Sequence, residues 1–251
     1  MRTVSWFSCG AASAVATKLA IASGEPITVA YCEVIEEHPD NSRFLKDCEK
    51  WFGQEIIILG NDKYQRSIYN VYESTRYLKG PSGARCTGEL KKSVRQQFEE
   101  PTDRQVFGYT VEEQNRVDRF IDANNDVDIW PILIERGLTK NDCLAMLLNA
   151  GIELPAMYKL GYHNNNCIGC VKGEAGYWNK IRVDFPDVFE RMAQMEEKLN
   201  RTVCKIEKTV DGKRTLERIP LRELPPEQGD YPSEINIQCG IFCHIAEDDY
   251  Q

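Results

Sequence analysis

Two cysteines three positions apart, Cys167 and Cys170, carry the clearest chemical signal in this sequence, within the stretch NNNCIGCVKG. A Cys-x-x-Cys pair can act as a redox couple, bind a metal ion, or simply fill space in a core. A thioredoxin-type pair occupies a strand-to-helix corner with apolar flanks, whereas three asparagines and a glycine-rich loop flank this one. The local context therefore favours metal binding.

The chain contains ten cysteines, and their positions divide them into groups. Four lie within strand-like or helix-like segments and are expected to be small buried hydrophobic residues: Cys32, Cys48, Cys143 and Cys204. Cys86 lies upstream of the pair, and Cys239 and Cys243 lie in the tail segment QCGIFCH. Thiolate ligands suit both iron–sulfur clusters and zinc, and a cluster generally needs four of them, so a metal at the pair would need further ligands.

A second candidate site lies near the start of the chain, in SWFSCGAASAVATK. Here a strand-like run passes through small residues into a helix-like run, which would aim backbone N–H groups and the positive helix end at one point. Ser8, Gly10 and Ser13 could then hold a phosphate or a sulfate. The alternative is that the small residues only let the helix pack on the sheet, and that Cys9 is tolerated there as packing.

The order of elements predicts an α/β fold with a mainly parallel, five-stranded sheet and helices on both faces. The predicted strands are TVSWFS, PITVAYCEV, EIIILG, RQVFGYT and VDIWPIL, with EIIILG expected to be buried. The predicted helices are ASAVATKLAIAS, NSRFLKDCEKWF, TGELKKSVRQQFEE with Thr87 as its N-cap, and TKNDCLAMLLNAG. Residues 1–163 are interpreted as a nucleotide-binding α/β domain.

The pattern changes after Leu160. NNNCIGCVKGEAGYW is expected to be a loop, and FPDVFERMAQMEEKLN is predicted to form an amphipathic helix. Asp211-Gly212 between two strand-like arms predicts a β-hairpin. Residues 164–251 are therefore interpreted as an appendage of loop, helix, hairpin and irregular tail that packs on the first domain.

Composition excludes several classes of protein. Hydrophobic residues make up 42% and charged residues 28%, which is near the average for globular proteins. No apolar run approaches the roughly 20 residues of a membrane span, and the first residues lack the apolar core of a signal peptide, so we expect a cytoplasmic protein. The formal net charge of -8 opposes a general attraction to nucleic acid, although it allows a local basic pocket.

The segment from Ser8 to Ser13 resembles the pyrophosphate loop of the adenine nucleotide alpha hydrolase superfamily, whose usual form is Ser-Gly-Gly-x-Asp-Ser. Cys9 stands at the first glycine of that form and Ala12 at the aspartate. The missing carboxylate argues against ordinary ATP pyrophosphate cleavage. Sulfonucleotide reductases have similarly altered loops that bind a phosphosulfate.

The resemblance covers most of the chain. VFGYTVEEQNR is similar to a family segment in which Gly108, Glu113 and either Arg116 or Arg119 fill the motif positions, and PILIERGLTKNDCLAMLLNAGIELPAMYKLGYHNNNCIGC follows the family order up to the cysteine pair. The sequence thus resembles the PAPS reductase-like family, in the compact form often carried by bacteriophages. The nucleotide-binding residues that this implies are Ser8, Cys9, Gly10, Ser13, Gly108, Arg116 and Arg119.

The same resemblance implies a metal centre and a nucleophile. APS reductases hold a 4Fe-4S cluster between a Cys-x-x-Cys and two adjacent upstream cysteines; here Arg85 precedes Cys86, so one ligand differs. The implied ligands are Cys86, Cys167, Cys170 and Cys243, with an open iron site or zinc as alternatives. QCGIFCH resembles the family's catalytic tail and makes Cys239 the candidate nucleophile, although a ligand role for Cys239 stays open.

Three hypotheses about function follow. The leading one is an enzyme that binds APS, PAPS or ATP and performs thiol-dependent sulfur chemistry, most concretely the reduction of a sulfonucleotide, with a thiol reductant protein as partner. The second is transfer of sulfur to a nucleic-acid base. The third is a nucleotide-binding or nucleic-acid-binding module with a structural metal. The sequence leaves the oligomeric state undetermined.

Overall fold

A five-stranded sheet, parallel throughout, forms the centre of the molecule in the computed structural model, which describes residues 1–81, 83–210 and 213–233. Its strands are β1 (Thr3–Phe7), β2 (Ile27–Cys32), β3 (Ile57–Leu59), β6 (Arg104–Val106) and β7 (Asp128–Trp130). The strand order is β3-β2-β1-β6-β7. Two antiparallel pairs are separate from this sheet: β4 (Lys79–Gly80) with β5 (Gly83–Ala84), and β8 (Cys204–Val210) with β9 (Lys213–Ile219). The predicted α/β class, the five strands and the C-terminal hairpin are confirmed.

Helices cover both faces of this sheet. The α-helices of the described residues are α1 (Ala11–Ile21), α2 (Asn41–Phe52), α3 (Ile68–Thr75), α4 (Arg85–Thr87), α5 (Ser93–Phe98), α6 (Gln114–Ala123), α7 (Ile132–Glu135), α8 (Lys140–Asn149), α9 (Ala156–Lys159), α10 (Ala175–Asp184) and α11 (Pro186–Leu199). Phe7 packs with α1, α2 and α8 on one face, while Val4 and Trp6 pack with α5 and α6 on the other. Since both faces are covered, every residue of β1 is buried.

A further hydrophobic cluster lies beside the sheet and joins α3, α10, α11 and the hairpin. Trp178 and Ile181 of α10 and Met192 of α11 are completely buried there. Helix α11 matches its prediction closely, because its apolar residues recur at helical spacing. Helix α10 contradicts another prediction. The segment NNNCIGCVKGEAGYW was expected to be a loop, but the loop ends at Glu174 and the residues GYW belong to the buried part of α10.

Strand β3 was predicted to be buried, but the structure shows that it is partly exposed. Ile57 is 43% exposed and Ile58 is 48% exposed, because among the described strands β3 pairs with β2 alone and lies at the edge of the sheet. An apolar run predicts a strand, but the position of that strand within a sheet follows from the strand order.

The predicted N-cap at Thr87 is also wrong. The helical segment begins at Arg85, directly after β5, and continues through a π-helical turn (Gly88–Lys92) into α5. Thr87 is only 1% exposed and has helical backbone angles, so it lies inside the helix and contributes to the core. Within the described ranges, no helix is both long and apolar enough to cross a bilayer.

Candidate functional site

A cavity of about 230 Å³ opens at the carboxyl ends of β1 and β6. It is lined by the residues that follow these two strands, together with Lys140, Tyr158 and Asn164–Asn166. Open parallel sheets bind ligands at this edge, where the chain leaves the strands in loops. The cavity is therefore the candidate binding site.

The loop between β1 and α1, which the sequence analysis proposes as an anion site, lies along the cavity. Ser8, Gly10 and Ser13 all line the cavity. The Ser13 hydroxyl accepts hydrogen bonds from the backbone N–H of Ser8 at 3.1 Å and from its hydroxyl at 3.0 Å, and it donates to the Gly10 carbonyl at 2.9 Å. These bonds hold the loop in a tight turn, with two hydroxyls at the positive end of α1.

Cys9 turns away from the cavity. Its side chain is completely buried among α1 and α2, and its sulfur lies 4.0 Å from the Asn41 carbonyl oxygen. Burial raises the pKa of the Cys9 thiol well above its usual value, which makes it a poor nucleophile. Cys9 has a φ of 54°, the left-handed region that favours glycine. This backbone angle gives a physical reason for the glycine at that position in the pyrophosphate loop that the segment resembles.

Gly108 follows β6 and touches the start of α1. A Cβ atom on Gly108 would lie 2.4 Å from the backbone nitrogen of Ser13 and 2.7 Å from the carbonyl carbon of Ala12. Both contacts are with backbone, which has little room to move. A glycine is thus required here for strand β6 to support the loop, and Gly108 also lines the cavity.

Three basic side chains reach the cavity wall: Lys91, Arg116 and Lys140. Arg116 lies over the ring of Tyr109 and pairs with Glu113 at 2.7 Å. Lys140 donates hydrogen bonds to the His163 carbonyl and, at 2.6 Å, to the Asn164 side-chain oxygen. Burial lowers the pKa of Lys140.

Arg119, the alternative to Arg116 in the sequence motif, lies on the exposed surface of α6 and does not line the cavity. Positions three apart on a helix lie about 60° apart around its axis, and this rotation is enough to place Arg116 at the cavity and Arg119 in solvent. The structure therefore brings Arg116, rather than Arg119, to the cavity.

Lys91 belongs to a buried polar network behind the loop. Its ammonium group lies 3.0 Å from Glu37 Oε1, and both residues are less than a tenth exposed. Glu37 Oε2 also accepts hydrogen bonds from the Tyr31 hydroxyl at 2.6 Å and from the Asn41 amide at 2.9 Å. The network joins β2, the start of α2 and the π-helical turn at one point beside the cavity.

The cysteines that the resemblance assigns to a metal converge on one buried tyrosine. The Tyr72 hydroxyl lies 3.2 Å from the Cys86 sulfur. Burial raises the pKa of Tyr72, and the nearby thiols of Cys86, Cys170 and Cys167 raise it further. Positions far apart in the sequence are thus neighbours in the fold.

These thiols do not form a ready-made metal centre. Considering only the residues with a described position, no three His, Cys, Asp or Glu side chains form a group that could hold a metal ion. The two tail cysteines in the prediction, Cys239 and Cys243, lie outside the described residues. A tetrahedral thiolate site would need the three described sulfurs to draw together around a metal and a fourth ligand to join them.

Tyr177 holds the loop between the paired cysteines. Its hydroxyl, in the core, accepts hydrogen bonds from the backbone N–H groups of Gly169 at 3.0 Å and Cys170 at 2.9 Å. Gly169 has a φ of 76°, so the turn depends on a left-handed residue between the two cysteines. A side chain from α10, which the sequence did not predict, therefore positions both thiols.

Replacing Tyr177 with phenylalanine should destabilise the protein by about 1–3 kcal/mol, since two buried N–H groups lose their acceptor. Urea unfolding measures this change. Tyr69→Phe is the matched control, because Tyr69 is a buried tyrosine of the same core whose hydroxyl has no hydrogen-bond partner in the described part of the chain. Equal stabilities of the two variants would show that Tyr177 does not hold the loop.

Several cavity residues were not identified from the sequence. Tyr158 accepts a hydrogen bond from the backbone N–H of Ala11 at 3.3 Å, and thereby joins α9 to the first turn of α1. Asn165 joins the cysteine loop to the Cys9 carbonyl at 2.7 Å. The only signal for them was their place in the segment that resembles the PAPS reductase-like family, because both contacts link residues about 150 positions apart.

The fold and the cavity define this chain as a Rossmann-like α/β protein with a five-stranded parallel sheet. Comparison with protein-family models and with curated proteins found no match.

Proposed function

We propose that this protein is an enzyme of the PAPS reductase type that binds an adenine nucleotide in the cavity and performs thiol-dependent sulfur chemistry. The observation that carries the proposal is the position of the Ser8–Ser13 loop. Its hydroxyls, the first turn of α1 and the Arg116 side chain line one cavity at the carboxyl edge of a parallel sheet.

This arrangement suits an anionic ligand with an organic body. Arginine and lysine side chains bind phosphate or sulfate oxygens, and the helix end adds a positive potential. Glu112 and Glu113 also line the cavity, so its charge is mixed. A nucleotide, which carries both charged oxygens and hydrogen-bond donors, fits this mixture better than a simple polyanion.

The most concrete reaction is reduction of a sulfonucleotide. A cysteine thiolate attacks the sulfur of the phosphosulfate, the bond from that sulfur to the bridging oxygen breaks, and the nucleotide leaves with the electron pair. The resulting S-sulfocysteine then needs a thiol reductant protein, which releases sulfite and is itself oxidised to a disulfide. The proposed nucleophile is Cys239, which lies outside the described residues.

The proposal includes a 4Fe-4S cluster, with zinc as the alternative. Cys86, Cys167, Cys170 and Cys243 would hold it, and the convergence of the first three on Tyr72 supports this ligand set. Such a cluster would supply electrons to sulfur chemistry. Anaerobic purification followed by iron, sulfide and zinc analysis tests this part separately from nucleotide binding.

Nucleotide binding is tested by titration calorimetry with AMP, ATP, APS and PAPS. Arg116→Ala should weaken binding by about tenfold to a hundredfold, because a charge-assisted hydrogen bond is lost at the cavity wall. Arg119→Ala is the matched control on the same helix and should change the affinity by less than about twofold. Equal effects of the two substitutions, or absence of binding by all four nucleotides, would contradict the proposal.

Product analysis separates the reactions. Release of sulfite from APS or PAPS in the presence of a dithiol supports the reductase, whereas release of pyrophosphate from ATP supports sulfur transfer to a nucleic-acid base. Binding of a nucleotide without either reaction would favour the third hypothesis, a nucleotide-binding module with a structural metal.

A further inference from the structure

Asn165 presents a buried amide on the wall of the cavity. The residue is 5% exposed and lines the cavity between Asn164 and Asn166. Its side-chain nitrogen donates two hydrogen bonds, one to the Cys9 carbonyl and one to Asn41 Oδ1, each at 2.7 Å. Both hydrogens of the Asn165 amide are therefore already donated, one to the loop that follows β1 and one to the start of α2.

The orientation of this amide is determined by acceptors at both ends of the network. The Cys9 carbonyl can only accept, so the nitrogen of Asn165 must face it. At the other end, the Glu37 carboxylate accepts from the Asn41 nitrogen at 2.9 Å, which leaves the Asn41 oxygen to face Asn165. Rotation of either amide by 180° would place two acceptors against each other.

The oxygen of Asn165 consequently faces away from Cys9 and Asn41. It is buried and has no hydrogen-bond partner among the residues whose positions are described. A buried acceptor retains its full desolvation cost until a donor reaches it. Asn165 is also one of the residues that line the cavity, so a ligand held there would lie beside this side chain.

We propose that Asn165 Oδ1 accepts a hydrogen bond from an O–H or N–H group of the bound nucleotide and so determines specificity within the cavity; this rests on the proposed function. Phosphate and sulfate oxygens carry no proton to donate when fully ionised. The donor is therefore a ribose hydroxyl or the exocyclic amine of adenine, and Arg116 and the Ser8–Ser13 loop remain available for the anionic groups.

Titration calorimetry with AMP and three analogues tests the proposal: 2′-deoxy-AMP, 3′-deoxy-AMP and purine riboside monophosphate, which lacks the amine. With the unmodified protein, one analogue should bind about tenfold to a hundredfold more weakly than AMP, because it leaves the buried oxygen without a donor. The analogue that loses affinity identifies the donor. In Asn165→Ala, AMP should bind more weakly and that analogue should bind as well as AMP.

Asn41→Ala is the matched control. It removes one partner of the same amide but leaves the Cys9 contact and the Asn165 oxygen in place, so the discrimination between AMP and the analogue should persist. A purely structural role of Asn165 would instead weaken all ligands by the same factor in both variants. Equal binding of AMP and all three analogues by the unmodified protein would overturn the proposal even if a variant failed to fold. Absence of AMP, ATP, APS and PAPS binding would overturn the proposed function as well.

Discussion

Replacing Gly108 with alanine is expected to destabilise the protein by about 3 kcal/mol or more and to abolish nucleotide binding. The new Cβ atom would lie 2.4 Å from the Ser13 nitrogen and 2.7 Å from the Ser13 Cα atom. Both atoms are backbone atoms in the first turn of α1, so either β6 or the loop between β1 and α1 must move. Urea unfolding and calorimetry with AMP measure the two effects.

Gly10→Ala is the control for this prediction. Gly10 lines the same cavity, but a Cβ atom there would lie 3.5 Å from the Tyr158 hydroxyl, which is an ordinary contact. Its φ of -102° is also accessible to alanine. We expect Gly10→Ala to keep the stability within about 1 kcal/mol. Similar stabilities for the two variants would show that the contact between β6 and α1 can relax.

Replacing Lys91 with methionine should cost about 3–5 kcal/mol of stability at neutral pH, because Glu37 would remain buried without a cation. Tyr31 and Asn41 would still donate hydrogen bonds to Glu37, but neither carries a charge. Urea unfolding gives the free energy directly.

Two further variants distinguish a buried charge from a lost contact. The double variant Lys91→Met with Glu37→Gln should be more stable than Lys91→Met alone, since no uncompensated charge remains. Lys198→Met removes a surface ion pair with Glu73, in which both side chains are about half exposed, and should cost less than about 1 kcal/mol. A Lys91→Met protein as stable as Lys198→Met would refute the argument.

The ion pair of Lys91 also affects the charge of the cavity lining. Lys91 lines the cavity while its charge is already paired with Glu37. Arg116 is similarly paired with Glu113, at 2.7 Å. Both of these cavity-lining cations are therefore paired with a carboxylate rather than isolated.

Much of the fold could be predicted from local sequence patterns. The helix Asn41–Phe52 matches its prediction residue for residue, because its apolar residues lie on one face and Gly53, with a φ of 75°, ends it. The five strands follow from short apolar runs between turn residues, and the alternation of strands with helices implies parallel pairing. Helix α10 was missed because its glycine and polar residues resemble the loop before it.

The candidate site was predictable only in part. Ser8, Gly10, Ser13 and Gly108 lie on the cavity as the motif implies, since these residues follow directly after β1 and β6. Whether Cys239 is the nucleophile and Cys243 a ligand stays a prediction, because both lie outside the described residues.

The sequence by itself determined the α/β class, the loop that follows β1, and the cysteine pair whose thiols prompted the metal hypothesis. Each depends on residues close together in the chain. The tertiary structure decided that Cys9 faces the core, that Arg116 rather than Arg119 reaches the cavity, and that the Asn165 side-chain oxygen is buried without a hydrogen-bond partner among the described residues. These outcomes depend on contacts such as that between Asn165 and Cys9, 156 positions apart, which exist only after strands and helices have packed together.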